Sequence, residues 1–219
     1  MINILIVDDH AIVRDGLKRI ISESTGMNVV AEAENGQIAL DIIHADSSIN
    51  FILLDISMPG RSGLDLLKDI KNYNSELSVL MLSMHAQDQY ALRTLKAGAS
   101  GYLTKETAST LLVEAIRKIH HGGRFISDEV AELLAQSLNE KRVDFPHEQL
   151  SDREYQVMTM IASGRTIVEI SKELTLSDKT ISTYRARILE KMALMKYQLM
   201  PVIFFNNRIG GIQFIILDS

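Results

Sequence analysis

The sequence predicts a parallel α/β unit of five strands, followed by a small helical unit. Two observations carry the first part of that prediction. Five short apolar runs, each followed by a stretch with helical spacing, fill residues 1–122. Alternation of this kind means a parallel sheet covered by helices on both faces. The runs are also continuously apolar rather than alternating, the pattern of strands buried on both sides. The third observation is a change of pattern. After a polar stretch with a single proline at 139–149, short amphipathic helices joined by tight turns take over.

The elements follow in order. Asn3-Ile4-Leu5-Ile6-Val7 is the first strand and runs into Asp8-Asp9-His10. A helix follows with Ile12, Val13, Leu17, Ile20 and Ile21 near 3.6 spacing. Val29-Val30-Ala31 is the second strand, and Asn35 caps a helix bearing Ile38, Ala39, Ile42 and Ile43. Phe51-Ile52-Leu53-Leu54 is the third strand. It delivers Asp55 to its end, ahead of the turn signal Met58-Pro59-Gly60. By itself this stretch reads equally well as an acid on a sheet edge or as the start of a surface turn. Gly63 to Tyr73 is helical, and Val79-Leu80-Met81-Leu82 is a strand ending at Ser83. Tyr90 to Ala97 is a helix stopped by Gly98. Gly101-Tyr102-Leu103 is the fifth strand, ending near Lys105, and Leu111 to His121 is the last helix of this part. Ser127 caps a further helix with Val130, Leu133, Leu134 and Leu138, and the linker lies at 139–149. The expected division is therefore 1–122, a connecting helix and linker at 123–149, and a second domain at 150–219.

Composition narrows the function classes. The chain has 219 residues, 46% hydrophobic and 23% charged, without cysteine. Disulfides and thiolate metal sites are excluded. No apolar run reaches the roughly 18 residues of a membrane span, and no early stretch resembles a signal peptide, so the expected location is the cytoplasm. The net charge of -5 is unevenly spread. Residues 150–219 hold nine Lys/Arg against seven Asp/Glu; residues 1–149 hold fourteen against twenty-one. An acidic first part and a mildly basic second part suggest different partners for the two.

In a parallel sheet the strand ends share one edge, where open α/β folds bind ligands. That edge gathers Asp8, Asp9, Asp55, Ser83 and Lys105. Carboxylates about 4 Å apart repel by about 4 kcal/mol at an effective dielectric near 20. A hard divalent cation removes that cost, and an all-oxygen site with room for water suits Mg²⁺. A cation, a carboxylate nucleophile, a hydroxyl and a lysine form a phosphoryl-transfer constellation. No glycine-rich phosphate loop follows the first strand, which argues against a nucleotide cradle. His10 and His85 read as residues flanking the acid pocket.

VDDH, LLDISMPG, LSMH and AGASGYLTK at this spacing resemble the receiver domain of bacterial two-component response regulators. The resemblance implies a flavodoxin-like doubly wound sheet of order 2-1-3-4-5. It implies Asp55 as phosphoacceptor from a histidine kinase. Asp9 and Asp55 would bind Mg²⁺ directly, Asp8 through water, and Ser57 through its carbonyl. Ser83 and Tyr102 would form a switch pair, and Lys105 would contact the phosphoryl oxygens. The sequence departs from the family at Glu106, where many receivers have proline. A Mg²⁺-dependent phosphohydrolase with Asp55 as nucleophile is the alternative, but it would need an acid/base aspartate and a substrate cap that Met58-Pro59-Gly60 does not offer. A ligand-sensing LuxR regulator has no use for the converging Asp8, Asp9, Asp55 and Lys105.

In the second part, Ser151 and Glu154 fit a capping box, and the helix they open stops at Gly164. Ile167 to Leu174 is a short helix, Thr175-Leu176-Ser177 a turn, and Asp178 to Met192 a longer helix carrying Lys179, Arg185, Arg187 and Lys191. The pattern alone fits a helix-turn-helix and a plain three-helix unit equally well. The stretch from Leu150 to Met192 resembles the LuxR-type helix-turn-helix. The whole chain is thereby similar to the NarL/FixJ group, DNA-binding regulators that dimerise when phosphorylated. This implies Ser182, Thr183 and Ala186 at base edges, and Lys179, Arg185, Arg187 and Lys191 toward phosphates of double-stranded promoter DNA. After Met192 the resemblance fails abruptly. Pro201 falls inside the expected fourth helix, at a cost of roughly 3 kcal/mol, and Ile212 to Leu217 is β-prone. A local reading-frame change or sequence error over Met195–Phe205 would account for the break; the alternative is a genuine variant whose apolar tail packs on a partner subunit.

Overall fold

The computed structural model describes residues 1–59, 62–84, 88–128, 130–132, 135 and 150–192, with the backbone at 203–205 and 212–214. His85, Leu133, Leu134, Leu138, the linker at 139–149 and Pro201 lie outside the described residues. The chain divides into two compact units, Met1–Asn139 and Glu140–Ser219.

The first unit is a five-stranded sheet of order β2-β1-β3-β4-β5. The strands are β1 Ile2–Val7, β2 Met27–Ala33, β3 Phe51–Asp55, β4 Ser78–Ser83 and β5 Gly101–Thr104. Every neighbouring pair is parallel. The helices between them are α1 Ala11–Ser22, α2 Gly36–Ala45, α3 Gly63–Tyr73 and α4 Asp88–Lys96, with α5 Lys105–His120 after β5. Strand alternation feeds two cores. Ile4 and Ile6 of β1, Phe51 and Leu53 of β3 and Leu80 and Leu82 of β4 join a cluster with Leu17 and Ile21 of α1 and Leu112, Ile116 and Ile119 of α5. The intervening Leu5, Val7, Ile52, Leu54, Val79 and Met81 are equally buried on the other side, where α2 and α3 pack. Each such side chain contributes roughly 1.5–3 kcal/mol of burial, so the central strands are anchored from both faces.

Three differences from the sequence reading have physical causes. α5 begins at Lys105, six residues before Leu111. Its first turns are polar and carry no apolar periodicity, and what starts it is a cap: the Thr107 amide donates to Thr104 Oγ1 at 3.1 Å. Glu106 then stands in the first turn, where a negative charge suits the helix dipole. Ile12 is 86% exposed rather than inward, because the buried stripe of α1 runs through Leu17 and Ile21. Phe125 also extends the sheet edge, accepting from the Tyr102 amide at 2.9 Å and donating to Ser100 at 3.2 Å.

The second unit holds α6 Asp152–Ala162, α7 Ile167–Glu173 and α8 Asp178–Lys191. Ser151 and Glu154 form the capping box of α6, and Thr166 and Glu169 form a second one on α7. Ser177 caps α8 by accepting from Thr180 at 3.1 Å. The α7–α8 turn passes through Thr175 at φ 52°, an uncommon left-handed position for a β-branched residue. Tyr155, Val157, Ile170, Leu174, Ile181 and Ile188 are buried together in this small unit. The unit also carries a hairpin, with β6 Ile203–Phe205 antiparallel to β7 Ile212–Phe214. Two short β-branched and aromatic runs satisfy each other's backbone here.

Candidate functional site

Parallel pairing places the strand ends side by side. Asp8 follows β1, Asp55 ends β3, Ser83 ends β4 and Lys105 follows β5. Asp8 and Asp55 are fully buried, and Ser83 is 1% exposed. Two backbone contacts of Ile56, the next residue, fix the position of Asp55. The Ile56 amide donates to Leu82 at 3.0 Å, and the Gly63 amide donates to Ile56 at 3.0 Å. The first turn of α3 therefore presses on the end of β3, where a Cβ on Gly63 would lie 1.9 Å from the Asp55 carbonyl oxygen. Glycine is required here by close approach. Ser62 locks the same turn, accepting from the Asp65 amide at 3.2 Å and donating to Asp65 Oδ2 at 2.7 Å.

Lys105 Nζ lies 2.7 Å from Asp8 Oδ2 and 3.0 Å from Asp55 Oδ2. Even so, Asp8 Oδ2, Asp9 Oδ1 and both oxygens of Asp55 accept no well-directed hydrogen bond. Buried acceptors in that condition are costly. Burial, with the Asp8 charge adding to it, pushes the Asp55 carboxyl up to about 6, against the pull of Lys105. Burial works against the Lys105 charge too, but Asp55 and Asp8 outweigh it and raise the ammonium above its ordinary range. One cation thus serves two buried acids and leaves a net negative pocket.

Ligand atoms of Asp8, Asp9, His10 and Asp55 all lie within 4.8 Å of one another. The unmet oxygens and the hard donor set fit a divalent cation. The structure brings together Asp8, Asp9, Asp55 and Lys105, with Ser57 two residues beyond Asp55 and half-buried. Tyr102, 9% exposed, sits on β5 next to β4, whose last residue is Ser83. Sequence reasoning left His10 outside the site, yet its ring reaches Asp9 at 3.0 Å and Asp8 at 3.2 Å. It also missed Arg14, whose guanidinium donates to the Asp8 carbonyl at 2.7 Å. Adjacency to Asp8-Asp9 was the available signal for His10. Arg14 offered none, because a helix turn separates it from the acids.

The other candidate surface is α8. Lys179, Ser182, Thr183, Ala186 and Arg187 are exposed, and Arg185 is half-buried. Lys179, Thr183, Tyr184 and Arg187 line an open depression of about 300 Å³ beside the helix start. Lys191 differs from the other cations: its ammonium meets the buried Glu154 carboxylate at 2.6 Å.

Comparison with known proteins gives the family. Residues 4–117 match the response regulator receiver domain. Residues 148–198 match the bacterial regulatory proteins of the luxR family. The chain is a response regulator. It is 38% identical to the response regulator UvrY of Escherichia coli O6:H1 over 193 residues, 88% of either chain. It is 36% identical to the response regulator GacA of Pseudomonas aeruginosa, covering 89% of this chain and 91% of that one. Among solved structures it resembles RcsB of Salmonella enterica serovar Typhimurium bound to promoter rprA with a phosphomimetic. That match has a TM-score of 0.60 and 26% identity, covering 90% of this chain and 98% of that one. A Salmonella typhimurium RcsB structure matches with a TM-score of 0.56 and 29% identity, covering 88% and 92%. This response regulator is thus a DNA-binding transcription regulator of a two-component system, not an enzyme in the ordinary sense. Among the described residues, no helix is long and apolar enough to cross a membrane.

Proposed function

We propose that this response regulator is switched by phosphorylation of Asp55. The observation that carries the reading is Asp55 itself. It is a fully buried carboxylate at a strand end, with both oxygens free of well-directed hydrogen bonds and Lys105 Nζ 3.0 Å away. In the ionised state a carboxylate oxygen attacks phosphorus. The new bond is O–P, and the bond to the donor, a kinase histidine nitrogen or a small phosphodonor, breaks. Lys105 faces the equatorial oxygens and offsets their charge. Asp9, Asp55 and the Ser57 carbonyl would hold Mg²⁺, with Asp8 acting through water. The bound ion supplies charge neutralisation at the transferring group. Ser83 and Tyr102 then respond as the switch pair, biasing an existing two-state equilibrium rather than creating a new fold.

The output is recognition of promoter DNA by α8. Ser182, Thr183 and Ala186 face base edges, and Lys179, Arg185 and Arg187 favour phosphates. Lys191 belongs to the same helix, but Glu154 holds its charge, so its share of phosphate binding is smaller. A phosphorylated homodimer working in the cytoplasm completes the reading, with domains at 1–122 and 150–219 joined through 123–149.

The test incubates the full chain with Mg²⁺ and acetyl phosphate and follows intact mass and promoter binding. One phosphoryl adduct is expected, lost in Asp55→Asn, with tighter DNA binding in the native protein alone. An adduct that persists unchanged in Asp55→Asn would overturn the assignment.

A further inference from the structure

The acid pocket has a fifth side chain at its mouth whose placement calls for a reason. His10 occupies the N-cap of α1, a position that favours Ser, Thr, Asp or Asn because their oxygens bond the first free amides. His10 makes no such side-chain bond. The ring turns back to the carboxylates instead, with Nδ1 3.0 Å from Asp9 Oδ1 and 3.2 Å from Asp8 Oδ1. The backbone holds it there: the His10 amide donates to Asp8 Oδ1 at 2.8 Å, and the Asp8 carbonyl is held by Arg14 at 2.7 Å.

These distances have a second meaning. Donors about 2.1 Å from an octahedral dication stand roughly 3 Å apart when they occupy adjacent positions. The 3.0 Å spacing from Nδ1 to Oδ1 of Asp9, the direct ligand, matches that figure. Ligand atoms of Asp8, Asp9, His10 and Asp55 already lie within 4.8 Å of one another. Independently, Asp55 is wholly buried, and neither of its oxygens accepts a well-directed hydrogen bond, Lys105 meeting one of them as an ion pair. The His10 side chain is 62% exposed, so it meets an ion at the rim with little desolvation cost.

We propose that His10 is a nitrogen ligand of the dication at the Asp8–Asp9–Asp55 site, and that it shifts the site's preference from Mg²⁺ toward first-row transition dications. The inference rests on the reading that this pocket holds a dication, and adds a ligand that an all-oxygen site lacks. Mg²⁺ is hard and gains little from imidazole, whereas first-row ions gain more. His10 therefore acts on metal choice, and through it on how readily Asp55 reacts.

The experiment uses the full chain with Mn²⁺ as probe, comparing native protein with His10→Ala, His10→Gln and Asp55→Asn. Pulsed EPR reads nitrogen coupling to bound Mn²⁺, and titration calorimetry reads Mn²⁺ and Mg²⁺ affinities. The expected result is imidazole nitrogen coupling in the native protein, absent from both His10 variants. Alongside it, the Mn²⁺-to-Mg²⁺ affinity ratio should fall about tenfold. If Mn²⁺ binds in a manner that needs Asp55, yet shows no nitrogen coupling or the same coupling without His10, the inference is overturned and the dication site stands. If neither ion binds the native protein, both readings fall. Because His10 is exposed and makes no cap bond, its variants are expected to fold, and a circular dichroism melt verifies that.

Discussion

Lys105, the first residue of α5, places its ammonium 3.0 Å from a carboxylate oxygen of Asp55, the last residue of β3. A helix start and a strand end are thus tied by one charge contact, which also reaches Asp8 at 2.7 Å. Replacing Lys105 by Met keeps the stem length and removes the charge. Phosphorylation of Asp55 by acetyl phosphate is expected to slow on the order of 100-fold, the effect of losing one preorganised transition-state partner. A time course of intact mass measures it; an unchanged rate would remove Lys105 from the chemistry.

The raised Asp55 carboxyl makes the metal-free protein pH-sensitive. Its folded value of about 6 lies above the ordinary 3.8. A group raised in this way contributes stability that is fully present below 3.8 and lost as pH rises through about 6. The loss is on the order of 3 kcal/mol at most. Thermal melts in chelator should show the native protein falling across this window relative to Asp55→Asn. Added Mg²⁺ should restore stability at pH 7 far more than at pH 4, where protons occupy the site.

Two glycines in helices of the same unit should respond with opposite signs. A Cβ on Gly63 meets the Asp55 carbonyl at 1.9 Å, while one on Gly16 of α1 meets nothing within 4 Å. Gly63→Ala is expected to destabilise by about 2–4 kcal/mol, because backbone must move. Gly16→Ala is expected to stabilise by about 0.5–1 kcal/mol. Denaturant melts of the two variants decide this.

Lys191 and Arg187 share α8 but not a role. Glu154 is buried, bonds the α6 cap and receives Lys191 at 2.6 Å. Lys191→Ala should cost the second unit about 1–3 kcal/mol by stranding that carboxylate, with a small change in DNA affinity. Arg187→Ala should leave the melt nearly unchanged and reduce the salt slope of DNA binding by about one. Equal salt slopes for the two variants would contradict this division.

Much of this molecule was legible in the chain. The apolar runs ending at Asp8, Asp55 and Ser83 marked strands and their shared edge, because parallel strands buried on both faces leave few other patterns. The caps at Asn35, Ser151 and Ser177 were readable for the same local reason: a short polar side chain bonds an amide within one turn. The start of α5 was not, since Thr104 and Thr107 carry no apolar signal. The outward turn of Ile12 was not either, because a helix face is chosen by what packs on it.

The sequence by itself determined the order of strands and helices, the turn chemistry and which acids reach the sheet edge, since these depend on spacing along a few residues. Only the tertiary structure decided that Lys105 bridges Asp8 and Asp55, that Gly63 abuts the Asp55 backbone, that His10 turns to the carboxylates and that Glu154 holds Lys191. Each is a distance between residues brought together by packing, and periodicity along a chain carries no such distance. The Lys105–Asp55 contact is therefore a product of the fold, though the acid was written in the strand that ends with it.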